Sequence, residues 1–249
     1  MAGLSGPGGC DGPHCRGETS SNQLRRLTTP RAAALAGVLF AVLFAVALYL
    51  IRSSLPEGAQ PGSQWIEAGS SKIRIASELM PFAGICFLWF IGVVRANLGR
   101  YEDRFFATVT LGSGLLFLAM MFASSAVGAG LAESNHYLGG QVAGSGVGVF
   151  GQMLLLKLSK TYALRMAAVF MMSLATIWLR TGLMPRWLVV VSYLSALTLL
   201  VGGDSSMWLT LAFPAWVLIV SVLFLVRAGW FEHRGEEHQH HDHRERPEL

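Results

Sequence analysis

The side chains of this sequence that could bind or transform something gather in a few places. The most conspicuous is the C-terminal run His238-Gln239-His240-His241-Asp242-His243, with His233 just before it. Neutral imidazoles are good ligands for zinc, copper and nickel. His238, His240, His241 and His243 can therefore hold a divalent metal, adventitiously or as a regulatory ion. The plainer reading is a solvated polar tail. A catalytic metal is not expected, because a structureless segment cannot hold an open coordination position. Cys10 and Cys15 flank His14 with four residues between the thiols. Zinc sites accept such a spacing but need a second ligand pair. Three cysteines, with Cys86 inside an apolar run, do not make a disulfide framework. No cofactor is implied.

A second group is basic. Lys157, Lys160 and Arg165 fall within roughly 140° of a helical wheel at 100° per residue. They stand at one end of an apolar segment, and Glu78 stands at the corresponding end of another. Charges that enter a membrane find partners, so Glu78 or Glu133 is expected to pair with this stripe. Glu78, Lys157, Lys160 and Arg165 together outline a site for a lipid phosphate or another anionic ligand. The plainer alternative is that each cation snorkels to the interface.

The third group is built from small residues. Gly146-Val147-Gly148-Val149-Phe150-Gly151 matches G-x-G-x-x-G. A dinucleotide site needs that turn between a strand and a helix, with an acid about 20 residues on. No strand pattern precedes it and no acid follows at that distance. Gly140, Gly144 and Gly148 are four apart, and Ser124 and Gly128 repeat the spacing. On a helix this places small residues on one face and lets two backbones approach closely. These five residues are expected to pack helices, within one chain or between copies. Glycines lining a cavity are the functional alternative.

What is missing narrows the chemistry. No Asp, Glu, His, Lys or Arg sits at the centre of an apolar segment, where proton-coupled carriers and ion pumps normally place one. There is no H-E-x-x-H zinc motif and no P-loop. Ser124, Ser125 and Ser173 have no base near them in sequence. No acid, base and nucleophile converge, and an enzyme is not expected.

The elements that must position these groups are membrane helices. The chain is 53% hydrophobic and 14% charged, against roughly a quarter charged in an average soluble domain. Its apolar residues form continuous blocks of bilayer length, where about 20 residues cross the hydrocarbon. Continuous runs exclude a barrel, whose strands alternate. We expect an all-α polytopic membrane bundle of six spans: residues 32–51, 79–94, 105–132, 162–179, 187–201 and 208–226. Ser70 or Ser71 is the expected N-cap of the second helix, with Pro81 inside it. Residues 142–159 fit a re-entrant segment, an interfacial segment or the start of the fourth span. Gly182 is the expected C′ residue of that span, ahead of Pro185. Pro214 falls inside the sixth.

Three regions follow: an N-terminal tail, 1–30; a membrane domain, 31–231; and a His-rich tail, 232–249. Both tails lack the apolar content to order themselves. The net charge of +4 reflects topology rather than nucleic-acid binding, since no basic cluster outside the membrane is interleaved with aromatics. With the N-terminus inside, thirteen of the 19 Lys and Arg fall inside and six outside. Arg95, Arg100 and Arg104 mark one inner connection, Arg180 and Arg186 another, while 202–207 has none. Both termini are thus expected in the cytoplasm. Trp65, Trp187, Trp208 and Trp230 are expected at interfaces.

The stretches Met80-Pro81-Phe82-Ala83-Gly84-Ile85-Cys86-Phe87-Leu88-Trp89-Phe90-Ile91-Gly92-Val93-Val94-Arg95, Glu102-Asp103-Arg104-Phe105-Phe106-Ala107-Thr108, Ala163-Leu164-Arg165-Met166-Ala167-Ala168 and Arg180-Thr181-Gly182-Leu183-Met184-Pro185-Arg186-Trp187-Leu188 resemble a group of uncharacterised multi-pass membrane proteins of high-GC, actinobacterial-type bacteria. The resemblance runs over about residues 30–228. It implies the bundle fold and a bacterial plasma membrane, and it carries no activity and no functional residues. The expectation for function is a non-enzymatic membrane protein that binds lipid or a small apolar ligand, or acts as a scaffold, with membrane lipids and a second copy as partners. The alternative is a transporter or channel for an uncharged solute. The topology has a direct test. Reporters fused after Gly99 and after Gly203 are expected on opposite sides of the membrane; finding both in one compartment would discard the six-span arrangement.

Overall fold

The computed structural model describes residues 34–51, 53–54, 65–98, 104–142, 145–182, 184–202 and 207–226. The Cys10–Cys15 segment, Gly144, Trp230 and the whole His-rich tail, with His238, His240, His241 and His243, lie outside these. Among the described residues every regular element is helical, and the chain is a multi-pass membrane bundle. Helix α1 is Ala34–Ile51, α2 is Trp65–Leu98 and α3 is Arg104–Tyr137. Helix α4, Gly146–Leu156, runs through a π-helical turn, Lys157–Ala163, into α5, Leu164–Thr181. Helix α6 is Arg186–Gly202, and a 3-10 turn, Met207–Leu211, leads into α7, 212–226. Five stretches are long and apolar enough to cross a membrane, with Gly146–Thr181 counted as one; α6 is a shorter apolar helix.

The lengths fall into two sets. Helices α1 and α5 have 18 residues and α6 has 17, matching a bilayer of about 20 residues. Helices α2 and α3 have 34 each, and Gly146–Thr181 has 36. About half of the excess projects at one end. The end of α1, Ile51, shares a cleft with Ile73, Gly128 and Leu155. Past that level α2, α3 and α4 each continue for about 13 Å at 1.5 Å per residue. Trp65 opens α2 at the far end of this extension. Ser70 and Ser71 lie inside α2 rather than at its start, and α3 stays helical through residues 133–137. A small cluster of Ile73, Leu131, Val142 and Leu155 forms the core of the extension.

Helix ends follow local chemistry. Gly182 has φ 65° and its N–H donates to the Trp178 carbonyl at 3.0 Å, which closes α5. Helix α3 ends in a Schellman motif: Gly140 N–H donates to Asn135 O and Gly139 N–H to His136 O. Both glycines have positive φ, 59° and 89°. Gly140 is thus a turn residue and shares no helix face with Gly148. Pro214 falls in the first turn after the 3-10 segment, where a missing N–H costs least.

The main core is aromatic. The Phe87 ring of α2 meets Phe40 of α1 at 4.6 Å, Phe170 of α5 at 5.3 Å, Phe117 of α3 at 5.6 Å and Phe213 of α7 at 5.7 Å. All five rings are fully buried. Lipid tails are as apolar as these side chains, so packing rather than water exclusion holds the helices together. Tilted and edge-on ring pairs contribute about 0.5–1.5 kcal/mol each. Helix α6 joins through polar contacts: Trp216 Nε1–H donates to Ser192 Oγ at 2.8 Å, and Tyr193 and Thr176 share a hydroxyl hydrogen bond of 2.6 Å.

Helix α1 crosses α7 at a glycine. A Cβ on Gly37 would overlap Ser221 Oγ and lie 2.8 Å from Phe90 Cδ2, whereas one on Gly92 would meet nothing within 4 Å. Alanine in place of glycine favours a helix by up to about 1 kcal/mol, while forced overlap costs about 1–3 kcal/mol. Gly37→Ala should therefore lower the thermal unfolding midpoint in detergent, and Gly92→Ala should hold or raise it.

Candidate functional site

The π turn is where the chain departs most from regular helix. It lies level with the end of α1, at the boundary between the aromatic core and the extension. Residues 142–159 are neither re-entrant nor a separate interfacial segment, because from Gly146 they are helical and continuous with α5. Ser145 caps the start: its backbone is extended, its Oγ accepts from Gly148 N–H at 3.3 Å and donates to Val142 O at 2.9 Å. The G-x-G-x-x-G residues are thus the opening turns of a helix, with no strand before them among the described residues.

Small residues bring α3 and α4 together. Gly128 is buried, and a Cβ there would meet Leu155 Cδ1 at 3.0 Å and Ile73 Cγ2 at 3.4 Å. Gly151 answers from α4, pressed against Leu131. Gly148 is buried in the first turn of α4. The expected packing role thus suits Ser124, Gly128 and Gly148, within one chain. In the sequence Gly151 belongs to the nucleotide-like pattern, but its four-residue offset from Leu155 places both on the buried side of α4.

Hydroxyls do the rest. Ser124, on α3, donates to the Leu155 carbonyl at 3.0 Å, and Ser159, one turn on, donates to the same oxygen at 2.8 Å. A carbonyl has two lone pairs, so this pair of hydroxyls fills the acceptor just before the π turn begins. From α2, Ser77 donates to Ser125 O at 3.1 Å. A cavity of about 30 Å³ lies among these groups, lined by Ser77, Ser124, Ser125 and Ser159 and by apolar neighbours that include Met80, Met121 and Leu155.

The basic residues sit beside this region. Lys157 and Lys160 belong to the π turn, whose i→i+5 bonding winds more slowly than 100° per residue. The wheel that grouped them with Arg165 therefore does not apply across it. Lys157 and Arg165 are exposed and Lys160 is half-buried. Arg165 follows Ser159 by six residues and stands deeper along the same continuous helix. Glu78 does not reach this stripe: its Oε1 lies 3.9 Å from Arg74 Nε, one turn earlier on its own helix, and both side chains are about 70% exposed. Its expected pairing with the stripe is thus replaced by a local i,i+4 pair, the partner nearest in sequence. Glu133 is exposed at the far end of α3. At the opposite end of the bundle Arg180 lies over the Phe106 ring at 4.8 Å. Among the described residues no group of three or more His, Cys, Asp or Glu is placed to hold a metal.

Compared with known protein families, curated proteins and solved structures, the chain matches none.

Exposed helical ion pairs contribute about 0.3–0.5 kcal/mol. A double-mutant cycle in detergent on Arg74→Gln and Glu78→Gln should give a coupling of that size that fades with salt. The cycle on Glu78→Gln and Lys160→Gln should give none; a clear coupling there would restore the expected cross-helix pair.

Proposed function

We propose that this is a non-enzymatic protein of a bacterial plasma membrane that binds a phospholipid or similar anionic amphiphile along the helix segment carrying Lys157, Lys160 and Arg165. The observation that carries this reading is the setting of the two exposed cations. Lys157 and Arg165 flank exposed Tyr162 on one continuous helix, with exposed Met153 a turn before them. A cation placed among apolar surface at a bilayer edge suits a ligand with a phosphate at one end and hydrocarbon at the other. In this arrangement the phosphate meets the cations and the acyl chain lies along α5. The inner-side basic connections and the resemblance to proteins of high-GC bacteria support the choice of membrane.

Transport of an uncharged solute has less support. The fully buried rings of Phe40, Phe87, Phe117, Phe170 and Phe213 fill the middle of the bundle, and the serine cavity lies off to one side of them. A scaffold role through a second copy draws nothing from Gly128 and Gly148, which are buried inside the chain.

The test is lipid retention. The full chain, purified in mild detergent, should carry co-purifying anionic phospholipid detectable by native mass spectrometry. Arg165→Glu together with Lys157→Glu should reduce that retention several-fold while elution volume and helicity stay constant. Equal retention in the variant would overturn the proposal.

A further inference from the structure

The four serines at the π turn do more than tie helices together, and their hydrogen-bond directions say what they can hold. Each serine hydroxyl has one proton to give and two lone pairs to offer. Ser77 gives its proton to Ser125 O, and Ser124 and Ser159 give theirs to Leu155 O. Three of the four hydroxyls lining the cavity thus have their protons committed to backbone carbonyls. What they retain is acceptor capacity. The Leu155 carbonyl is already filled by two donors, so it offers nothing further. The polar part of the cavity wall is therefore mostly oxygen acceptors, in an otherwise apolar surround of Ile73, Met80 and Met121.

Size and charge restrict the guest further. A volume of about 30 Å³ admits one or two waters and nothing the size of a metabolite. No carboxylate lines the cavity, so a divalent cation would have to shed its water without a compensating charge. An anion would meet three acceptors and at most one donor, the Ser125 hydroxyl. We infer that this cavity binds a single small electropositive guest: a water that donates its hydrogens, or a monovalent cation of sodium size held by hydroxyl oxygens. The guest joins α2, α3 and the π turn at the boundary between the two cores. The site is separate from the proposed amphiphile segment, since it is formed by different residues.

The experiment uses the full chain in detergent and in lipid nanodiscs. Thermal unfolding is measured at equal ionic strength in sodium, potassium and choline chloride, and the structure is determined in sodium at a resolution that shows ordered water. A midpoint several degrees higher in sodium than in choline, lost in Ser124→Ala and in Ser159→Ala, identifies a cation. Equal midpoints in all three salts, with density within hydrogen-bond distance of at least two of the serine hydroxyls, identify water. A cavity without density, with equal midpoints in all salts, overturns the inference whether or not the variants fold. Lipid retention should be the same in the serine variants and the native chain, which separates failure here from failure of the amphiphile proposal.

Discussion

Phe87 is the contact on which the bundle depends. In lipid there is no water to drive apolar side chains together, and a leucine gains little by leaving acyl chains for another helix. What remains is close packing, where many weak dispersion contacts add and ring edges meet ring faces. Phe87 makes such contacts with rings from α1, α3, α5 and α7 at once. Four helices distant in the chain are thereby joined at one residue. The close approach of Gly37 to Ser221 and Phe90 belongs to the same arrangement, because the rings meet only where backbones can come near.

Polar groups are placed so as not to disturb that packing. Most buried hydroxyls donate to the carbonyl one turn back, as Ser113 does to Val109, Ser173 to Val169 and Ser192 to Leu188. Such bonds satisfy the hydroxyl within its own helix and ask nothing of the neighbours. Ser221 is the exception among the described residues: its Oγ is buried without a hydrogen-bond partner, where Gly37 comes closest. The serines of the π turn differ in kind. Ser77 and Ser124 donate across helices, and they do so where α2, α3 and α4 leave the level of α1 and must cohere with a much smaller apolar cluster. Polar contact replaces aromatic contact at the point where the rings end. Exposed Lys157 and the serine cavity lie close together in the chain at that level.

Much of this was legible in the amino-acid order. Continuous apolar blocks can only be membrane helices, since backbone groups in hydrocarbon must bond within their own segment. Gly182 and Pro185 end α5 and precede α6 as local rules require. Other features depend on partners far away in the chain. Nothing near residue 65 distinguishes a loop from a continuing helix, because the side chains that Ile73 clusters with, Leu131 and Leu155, come from α3 and α4. The π turn is silent locally as well, since a hydroxyl that bonds the Leu155 carbonyl just before it comes from Ser124, on another helix. Gly140 keeps the four-residue spacing of a packing face, yet the helix had already ended.

Length, hydropathy and the placement of arginines thus determined the class of fold, the number of apolar segments and the absence of charge from their centres. These are properties of single segments in a solvent that cannot satisfy a bare backbone. Which of fourteen phenylalanines becomes the hub, where Glu78 finds its partner and which serines share a cavity were decided only by tertiary structure. Each is a relation between segments. Spacing along one helix says which residues share a face, and only the crossing of two helices says what that face will touch.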